Sequence, residues 1–386
     1  MRNKGRQRHT VMTVNGRITL RRIRWQPKAG GSLTPLDEWL NAAGERFTRG
    51  VVELACRLNR CESGFQELSI TMKRAAGLSI GKESLRQLIE AEGQRVLEKT
   101  RRNELGPQWH ASECQTPEGE TRVYFGCDGV KIPVITDQEK KQRRVKTVEK
   151  RKQQKAKGRS LRPLDRVTPG ADGPYKEFRL VQFYSEDQKQ RWISVSRGDH
   201  EVVGRLMRRD ASRIRLDQAD ASIGLYDGAV WIDRQAEKQG LRLTARGLDF
   251  WHLQDYAQKT RRALYGDDAA GKTWLTELMH TFKHEGYEPA WDQLTTQRAT
   301  LDSEAKKTAL DSLLHYMAER SHLIHYPEFR AKGWQIGSGP TEAQCGTTTD
   351  RIKGKGRRWN PENALAIMAL EALYQSHTWS SHWNLN

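Results

Sequence analysis

The sequence predicts an α/β protein: a mixed sheet flanked by helices, carrying a helical insertion and preceded by a smaller helical region. Three observations carry that prediction. Apolar, β-branched runs alternate with helical periods between residues 119 and 266. Residues 267–332 show helical periodicity alone. Residues 34–118 read as successive short helices behind a hairpin.

The hairpin occupies residues 1–33. Thr10 to Arg24 alternates around Asn15-Gly16, a dipeptide that favours a type I′ turn. Thr34-Pro35-Leu36-Asp37 then reads as a capped helix start with Pro at the first helical position. The helix it opens runs through Trp39, Phe47, Val51, Leu54 and Leu58. A second covers Phe65 to Ala76 and stops at Gly77, and a third covers Lys82 to Lys99 with Leu85, Leu88, Ile89 and Val96 on one face. Helix, glycine turn, helix is the pattern of a helix-turn-helix, whose second helix would present Lys82, Arg86 and Arg95 to DNA. A plain helical pair predicts the same pattern.

Residues 119–266 hold the sheet. Val123 to Ile135 is one apolar strand with Asp128 in its middle. An insertion, 138–172, follows, and between Lys140 and Arg162 it carries twelve Lys and Arg against one acid, Glu149. The ordinary reading is a solvated, mobile loop; the alternative is a segment gripping phosphates through Lys140, Lys141, Arg143 and Arg144. Strands resume at Tyr175–Tyr184 and Arg191–Ser196, a helix covers His200 to Arg213, and Ile223 to Asp227 is a further strand. A helix spans Ala229 to Gln239, Leu241–Thr244 is a brief strand, and Asp249 starts another helix. The order β-β-β-α-β-α-β-α is RNase H-like. Trp274, Leu275, Leu278, Met279 and Phe282, then Leu310, Leu313, Leu314 and Met317, mark the helical insertion. Residues 333–386 close the chain: Glu342 begins a helix after Gly337-Ser338-Gly339, and Asn360-Pro361 caps another with Leu365, Met368, Ala369, Ala372 and Leu373 on one apolar face.

Among the 386 residues, Lys and Arg exceed Asp and Glu to give a net charge of +18, so the partner is expected to be a polyanion, most simply DNA. No apolar run is long enough to span a bilayer, and the basic start is not followed by the apolar stretch of a secretory signal. Five scattered cysteines fit a reduced, cytoplasmic protein rather than a disulfide framework or a zinc site.

Asp128 lies among Phe125, Val130 and Ile132, so its carboxylate must be paired, hydrogen-bonded or metal-bound. Asp227 stands at the C-terminal end of a strand, where α/β sheets place their sites. With Glu342 these could converge as oxygen ligands for two Mg²⁺ (or Mn²⁺) ions, hard cations that suit carboxylates and clamp both oxygens of a phosphodiester exchange. Asp233, Asp249 and Asp255 compete for the second place, and the chemistry alone does not choose among them.

Asp128-Gly, Tyr226-Asp227-Gly-Ala-Val-Trp231-Ile, Leu248-Asp249-Phe-Trp-His252, Gly337-Ser-Gly-Pro-Thr-Glu342 and Arg351-Ile-Lys-Gly-Lys-Gly-Arg-Arg-Trp359, in this order, resemble the ISKra4-like insertion-sequence transposases, bacterial enzymes distantly similar to the Mutator and IS256 groups. The likeness runs from about Thr34 onward. It implies an RNase H-like catalytic domain with a helical insertion, Asp128, Asp227 and Glu342 as the three DDE acids, and Asp249 and His252 as accessory members, His252 orienting phosphate or the metal shell; the other reading of that motif is a helix N-cap Asp with a partly buried His. It also implies a nucleoid-associated protein that brings two DNA ends together as a homodimer or larger assembly, with hydrolysis at a transposon end and attack of the freed 3′-hydroxyl on target DNA. Lys353, Lys355, Arg357 and Arg358 would neutralise phosphates, and Trp359 would either stack on a base or sit in the core beside the last helix. The chain departs from the family near its start, where Arg24 to Lys28 stand in place of the Cys pairs that bind zinc in many members. A nuclease that cuts without joining, and a DNA-binding protein whose site is idle, are the rival readings.

Overall fold

A computed structural model describes residues 1–28, 30–31, 33–36, 46–161, 175–354, 357 and 359–384. They fall into two units, each assembled from separate stretches of chain: 1–106, 131–177 and 347–386 form the first, 107–130 and 178–346 the second.

The first unit opens with the antiparallel pair β1 (Arg2–Thr13) and β2 (Gly16–Gln26). Thr13 pairs with Gly16, so the loop is Val14-Asn15, one residue earlier than Asn15-Gly16 predicts. The Thr13 hydroxyl accepts from Asn15 N at 3.2 Å and donates to Gly16 O at 2.9 Å, which holds that register. Gly16 takes φ +108°, open to glycine and strained for other residues. The long first helix is not continuous. Trp39 lies outside the described residues, Phe47 forms a parallel bridge with Met12, and helix α1 spans only Arg49–Asn59. Hydrogen bonds between Met12 and the backbone of Arg46 and Thr48 occupy groups that a helix through Phe47 would need. Helix α2 (Phe65–Ala76) ends on Gly77 in the left-handed conformation, as a glycine at that place predicts. In helix α3 (Lys82–Arg101), Arg86 is bound to Glu83 and Glu90, and Arg95 to Glu92, so acids of the same helix balance these two basic residues.

The basic stretch is not a loop at its start. Asp137–Ala156 form helix α4. Thr136 accepts from Glu139 N while Glu139 accepts from Thr136 N at 2.6 Å, a reciprocal capping box, and the Lys, Arg and Gln residues that follow are good helix formers. Lys140, Lys141 and Arg144 are exposed along it, and Arg143 partly so; residues 162–174 lie outside the described residues.

The second unit is built on a five-stranded mixed sheet: β3 (Arg122–Pro133), β4 (Tyr175–Ser185), β5 (Arg191–Ser196), β6 (Ala221–Tyr226) and β7 (Ala245–Leu248), in the order β5-β4-β3-β6-β7. β5 runs antiparallel to β4, while β6 runs parallel to both β3 and β7. The last strand lies four residues beyond Leu241–Thr244. Leu241 and Leu243 pack partly buried against the core, and Leu241 N bonds Ala236 O, which leaves this apolar stretch as the turn leading into β7. Helices α5 (His200–Arg213), α6 (Val230–Lys238) and α7 (Phe250–Tyr265) follow their strands, with α7 beginning one residue past Asp249. Both faces of the sheet are covered: Val123, Phe125, Cys127, Val181 and Phe183 lie in one core cluster, and Tyr124, Tyr184, Ile223 and Leu225 in another.

The predicted insertion is helical throughout: α8 (Ala269–His284), α9 (Tyr287–Thr300), α10 (Glu304–Ala318) and α11 (Tyr326–Ala331). Their Trp274, Leu278, Phe282, Leu294, Leu310 and Met317 join the first of those clusters. Helix α12 (Gly339–Lys353) carries Glu342 in its first turn.

Two C-terminal helices complete the first unit, α13 (Pro361–Gln375) and α14 (Trp379–Trp383). Asn360 accepts from Glu362 N at 2.9 Å and Pro361 follows, as predicted. The single apolar face does not hold: Ala364 to Leu373 are all buried, so α13 is a core helix on every side. A Cβ on Gly93 would overlap the backbone of Ala366, so glycine is what lets α3 approach α13 so closely. Arg60 grips Glu371 with two hydrogen bonds, 2.6 and 2.9 Å, and lies over the Tyr374 ring.

Candidate functional site

β3 and β6 pair in parallel with Arg122 opposite Ala221 and Phe125 opposite Gly224. Continuing that register by three residues brings Asp128 level with Asp227, one residue past the end of β6, and the charge of Asp227 is felt at Asp128. Strand alternation then decides the face. Tyr124, Gly126 and Asp128 share one side of β3, and Ile223, Leu225 and Asp227 the corresponding side of β6. The first turn of α12 lies on that side, because a Cβ on Gly126 would strike the Thr341 hydroxyl. Glu342 is therefore next in sequence to a residue touching the strand two positions before Asp128.

The electrostatics of the two acids are uneven. Asp128 is half-buried and accepts from Gly129 N at 2.6 Å. Burial pushes its pKa up, the negative charge of Asp227 pushes it further, and the Gly129 amide, the Cys345 thiol and His252 only partly offset this. Asp227 accepts from Ala229 N at 2.9 Å, at the start of α6. Gly228 after it takes φ +79°, and a Cβ there would meet Leu248 and Arg320. Arg320 donates to Gly228 O at 2.8 Å. The Cys127 thiol, on the opposite face of β3, is also raised by burial and by both acids.

Asp249 lies in a different setting. It is 1% exposed at the N-cap of α7 and accepts from His252 N at 2.9 Å, from the Ser338 hydroxyl at 2.7 Å and from Ser338 N. Its two oxygens are occupied in joining β7, α7 and the segment before α12. Phe250 N bonds Ile336 O at 2.9 Å and tightens the same junction. Of the other competitors, Asp233 is taken by Tyr226, Arg246 and His322, and Asp255 is exposed on α7. His252 Nε2 lies 2.9 Å from Glu342 Oε1, so these two sequence-predicted site residues are in direct contact. Among the described residues no group of three or more His, Cys, Asp and Glu side chains is gathered as a metal site.

Several members of this end of the sheet carry no sequence signal of their own. Trp251 is 60% exposed and its ring packs on Gly337, yet in the chain it is one aromatic in a Phe-Trp pair. Ser338 and Cys345 become visible only once α12 is placed on the strand. Cys345 lies three residues after Glu342, one helical turn on, which is why it and not Glu342 meets Asp128.

Among the basic residues, Lys140, Lys141, Arg143 and Arg144 stand on α4, Lys353 is exposed at the end of α12, and Arg357 donates to Arg351 O. Lys355 and Arg358 lie outside the described residues. Trp359 is buried and meets the Phe65 ring edge-on at 5.8 Å, the core placement of the two considered. No helix among the described residues is long and apolar enough to cross a membrane. Scanned against models of known protein families, the chain matches none, and no curated protein is significantly similar to it.

Proposed function

We propose that the chain is a DDE-type transposase with an RNase H-like catalytic unit, which cleaves DNA at transposon ends and joins the freed end to target DNA. One observation carries this reading: Asp128 and Asp227 stand abreast on the two central parallel strands, on the face that receives the Glu342 helix, with no Lys or Arg bonded to either carboxylate in the hydrogen bonds described. The strand order β5-β4-β3-β6-β7, with β4 and β5 antiparallel and β3, β6 and β7 parallel, supports the fold reading.

The donor set fits a divalent cation in part. Two hard carboxylates that repel one another are what Mg²⁺ or Mn²⁺ would balance, and Asp128 and Asp227 would hold it. Bound there, the metal would supply Lewis acidity for attack of an oxygen nucleophile on a phosphodiester. Glu342 is exposed and bonded to His252 through Oε1, so it would join as third ligand through its other oxygen or on leaving that partner. Asp249 is a positioning residue that anchors Ser338 and hence the start of α12. Phosphate neutralisation falls to α4, Lys353 and the Lys355–Arg358 segment, which makes DNA binding steeply salt-dependent. Pairing of two ends calls for a homodimer or larger assembly.

The test is strand transfer with a pre-cut transposon end and Mg²⁺. Joined product that disappears in Asp128→Asn and Asp227→Asn supports the proposal. Hydrolysis without joining on any end would replace it with the nuclease reading, and DNA binding without either reaction with the idle-site reading.

A further inference from the structure

The first unit contains a cavity of about 340 Å³ lined by Phe65, Arg86, Lys140, Arg351, Arg357 and Trp359, with Glu90 also on its wall. Four cationic side chains thus face one carboxylate, and Arg86 takes up that carboxylate. The core of the wall is Arg351, which is 6% exposed. Its guanidinium lies 4.9 Å from the Phe65 ring centroid and 5.4 Å from that of Trp359. Nε donates to the backbone and side-chain oxygens of Asn59, both at 3.1 Å, and none of its hydrogen bonds goes to a carboxylate. Its Nη2 is buried without a partner, and so is Nε1 of Trp359.

A buried cation with an unpartnered donor is costly, as is an indole N–H with no acceptor, and both belong to residues that line this one cationic cavity. Burial, then the charge of Arg357, pushes Arg351 down to about 10, and the charge of Glu62 offsets this only in part. The occupant has to supply oxygen acceptors and negative charge, and guanidinium geometry matches a tetrahedral oxyanion.

We propose that this cavity binds a phosphate group, with Arg351 Nη2 and Trp359 Nε1 as donors and Lys140 and Arg357 as flanking charge. The phosphate is either a backbone phosphodiester of DNA, in which case the proposal rests on the DNA-processing reading above, or a free phosphate.

The test uses the full chain. Thermal unfolding is followed in inorganic phosphate against chloride at constant ionic strength, and DNA affinity is measured over a range of salt. Phosphate is expected to raise the midpoint with a saturating dependence that chloride lacks. Trp359→Phe, which keeps the ring and removes the donor, should weaken phosphate binding about tenfold. Arg351→Lys should abolish it, and Lys140→Ala, at the rim, serves if Arg351→Lys does not fold. If the source is DNA, Lys140→Ala also lowers the salt slope of DNA binding by about one. If phosphate binds but the slope is unchanged, the cavity serves free phosphate. Phosphate binding by a chain that does not bind DNA would remove the transposase reading and leave the cavity standing. Equal midpoints in phosphate and in chloride, in wild type and Trp359→Phe alike, would overturn the proposal.

Discussion

The acidic end of the sheet in the second unit and the arginine cavity in the first are unbalanced in opposite directions. At the sheet, two carboxylates share one face; Asp128 and Asp227 each accept one backbone amide, and Asp128 is raised by burial and by its neighbour. In the cavity a buried guanidinium keeps one donor without an acceptor and is lowered by burial and by a second arginine. Compare these with Asp249 or with Glu92. Each of those is as buried as Arg351 and is surrounded by donors: Ser338 and the His252 amide in one case, His382, Arg95 and Arg49 in the other. Burial alone therefore does not mark a ligand site. Asp128 and Arg351 differ from them in having fewer partners of opposite charge, and the two proposals above, a cation at the sheet and an anion in the cavity, rest on that difference.

The sharpest way to break this contrast is Asp128→Asn. It should lower strand transfer by about 10³-fold or more, since it removes an oxygen that would hold the metal. It should also raise stability by about 1 kcal/mol, because a half-buried like-charge pair is relieved. Chemical denaturation checks the second part, and a loss of stability would mean that Asp128 is already balanced. Glu92→Gln should do the opposite. Breaking a buried charge network costs about 3 kcal/mol, visible as a lowered denaturation midpoint with DNA cleavage intact.

The same pair sets an acid dependence. Burial raises Glu92, but the His382 hydrogen bond and the charges of Arg95, His382 and Arg49 outweigh it, so its folded pKa is lowered. Its contribution is present above the unfolded value, about 4.3, and is lost as pH falls through the folded one. His382 is lowered by burial more than Glu92 raises it. The unfolded chain then binds the extra proton, so stability also falls as pH drops below about 6.5. Stability should therefore decline in two stages on acidification, and Glu92→Gln should remove the lower one.

Asp249→Ala should cost about 2 kcal/mol through the lost N-cap and the released Ser338. Asp249→Asn should retain much of that and retain strand transfer. Loss of activity at unchanged stability in Asp249→Asn would transfer the second catalytic place from Asp227 to Asp249. The smallest effect is expected of Thr136→Ala, about 1 kcal/mol confined to α4 and visible as faster amide exchange in its first turn.

Most strands and helices were legible because they obey local rules. Phe65–Ala76 with its Gly77 stop, His200–Arg213 and Arg191–Ser196 appear where periodicity and capping place them. The misses have physical causes. Leu241–Thr244 is apolar because it packs, and strand pairing goes to the residues that reach the Ile223–Tyr226 backbone. Phe47 fits the helical period, but Met12, far off in the chain, bonds the backbone of Arg46 and Thr48 on either side of it. The helix in the basic stretch was legible in Thr136-Asp-Gln-Glu139 and was hidden by the weight of charge behind it. At the site, the strand position of each Asp was readable. The register that sets Asp128 opposite Asp227, and the Gly126–Thr341 contact that brings α12 onto that face, depend on pairing between distant segments and have no local signature.

Helix α4 has one more consequence. Its 20 residues hold nine basic side chains against three acids, so as a polymer it is a short polyelectrolyte rod, about 30 Å long at 1.5 Å per residue. Neighbouring turns repel one another in dilute buffer, and condensed counterions relieve them. Its coil-to-helix balance should track ionic atmosphere rather than temperature alone, and a lattice of phosphates one charge per 1.7 Å would be the strongest such atmosphere it meets. The helicity of this segment is therefore expected to rise with counterion concentration, which circular dichroism over a salt series checks.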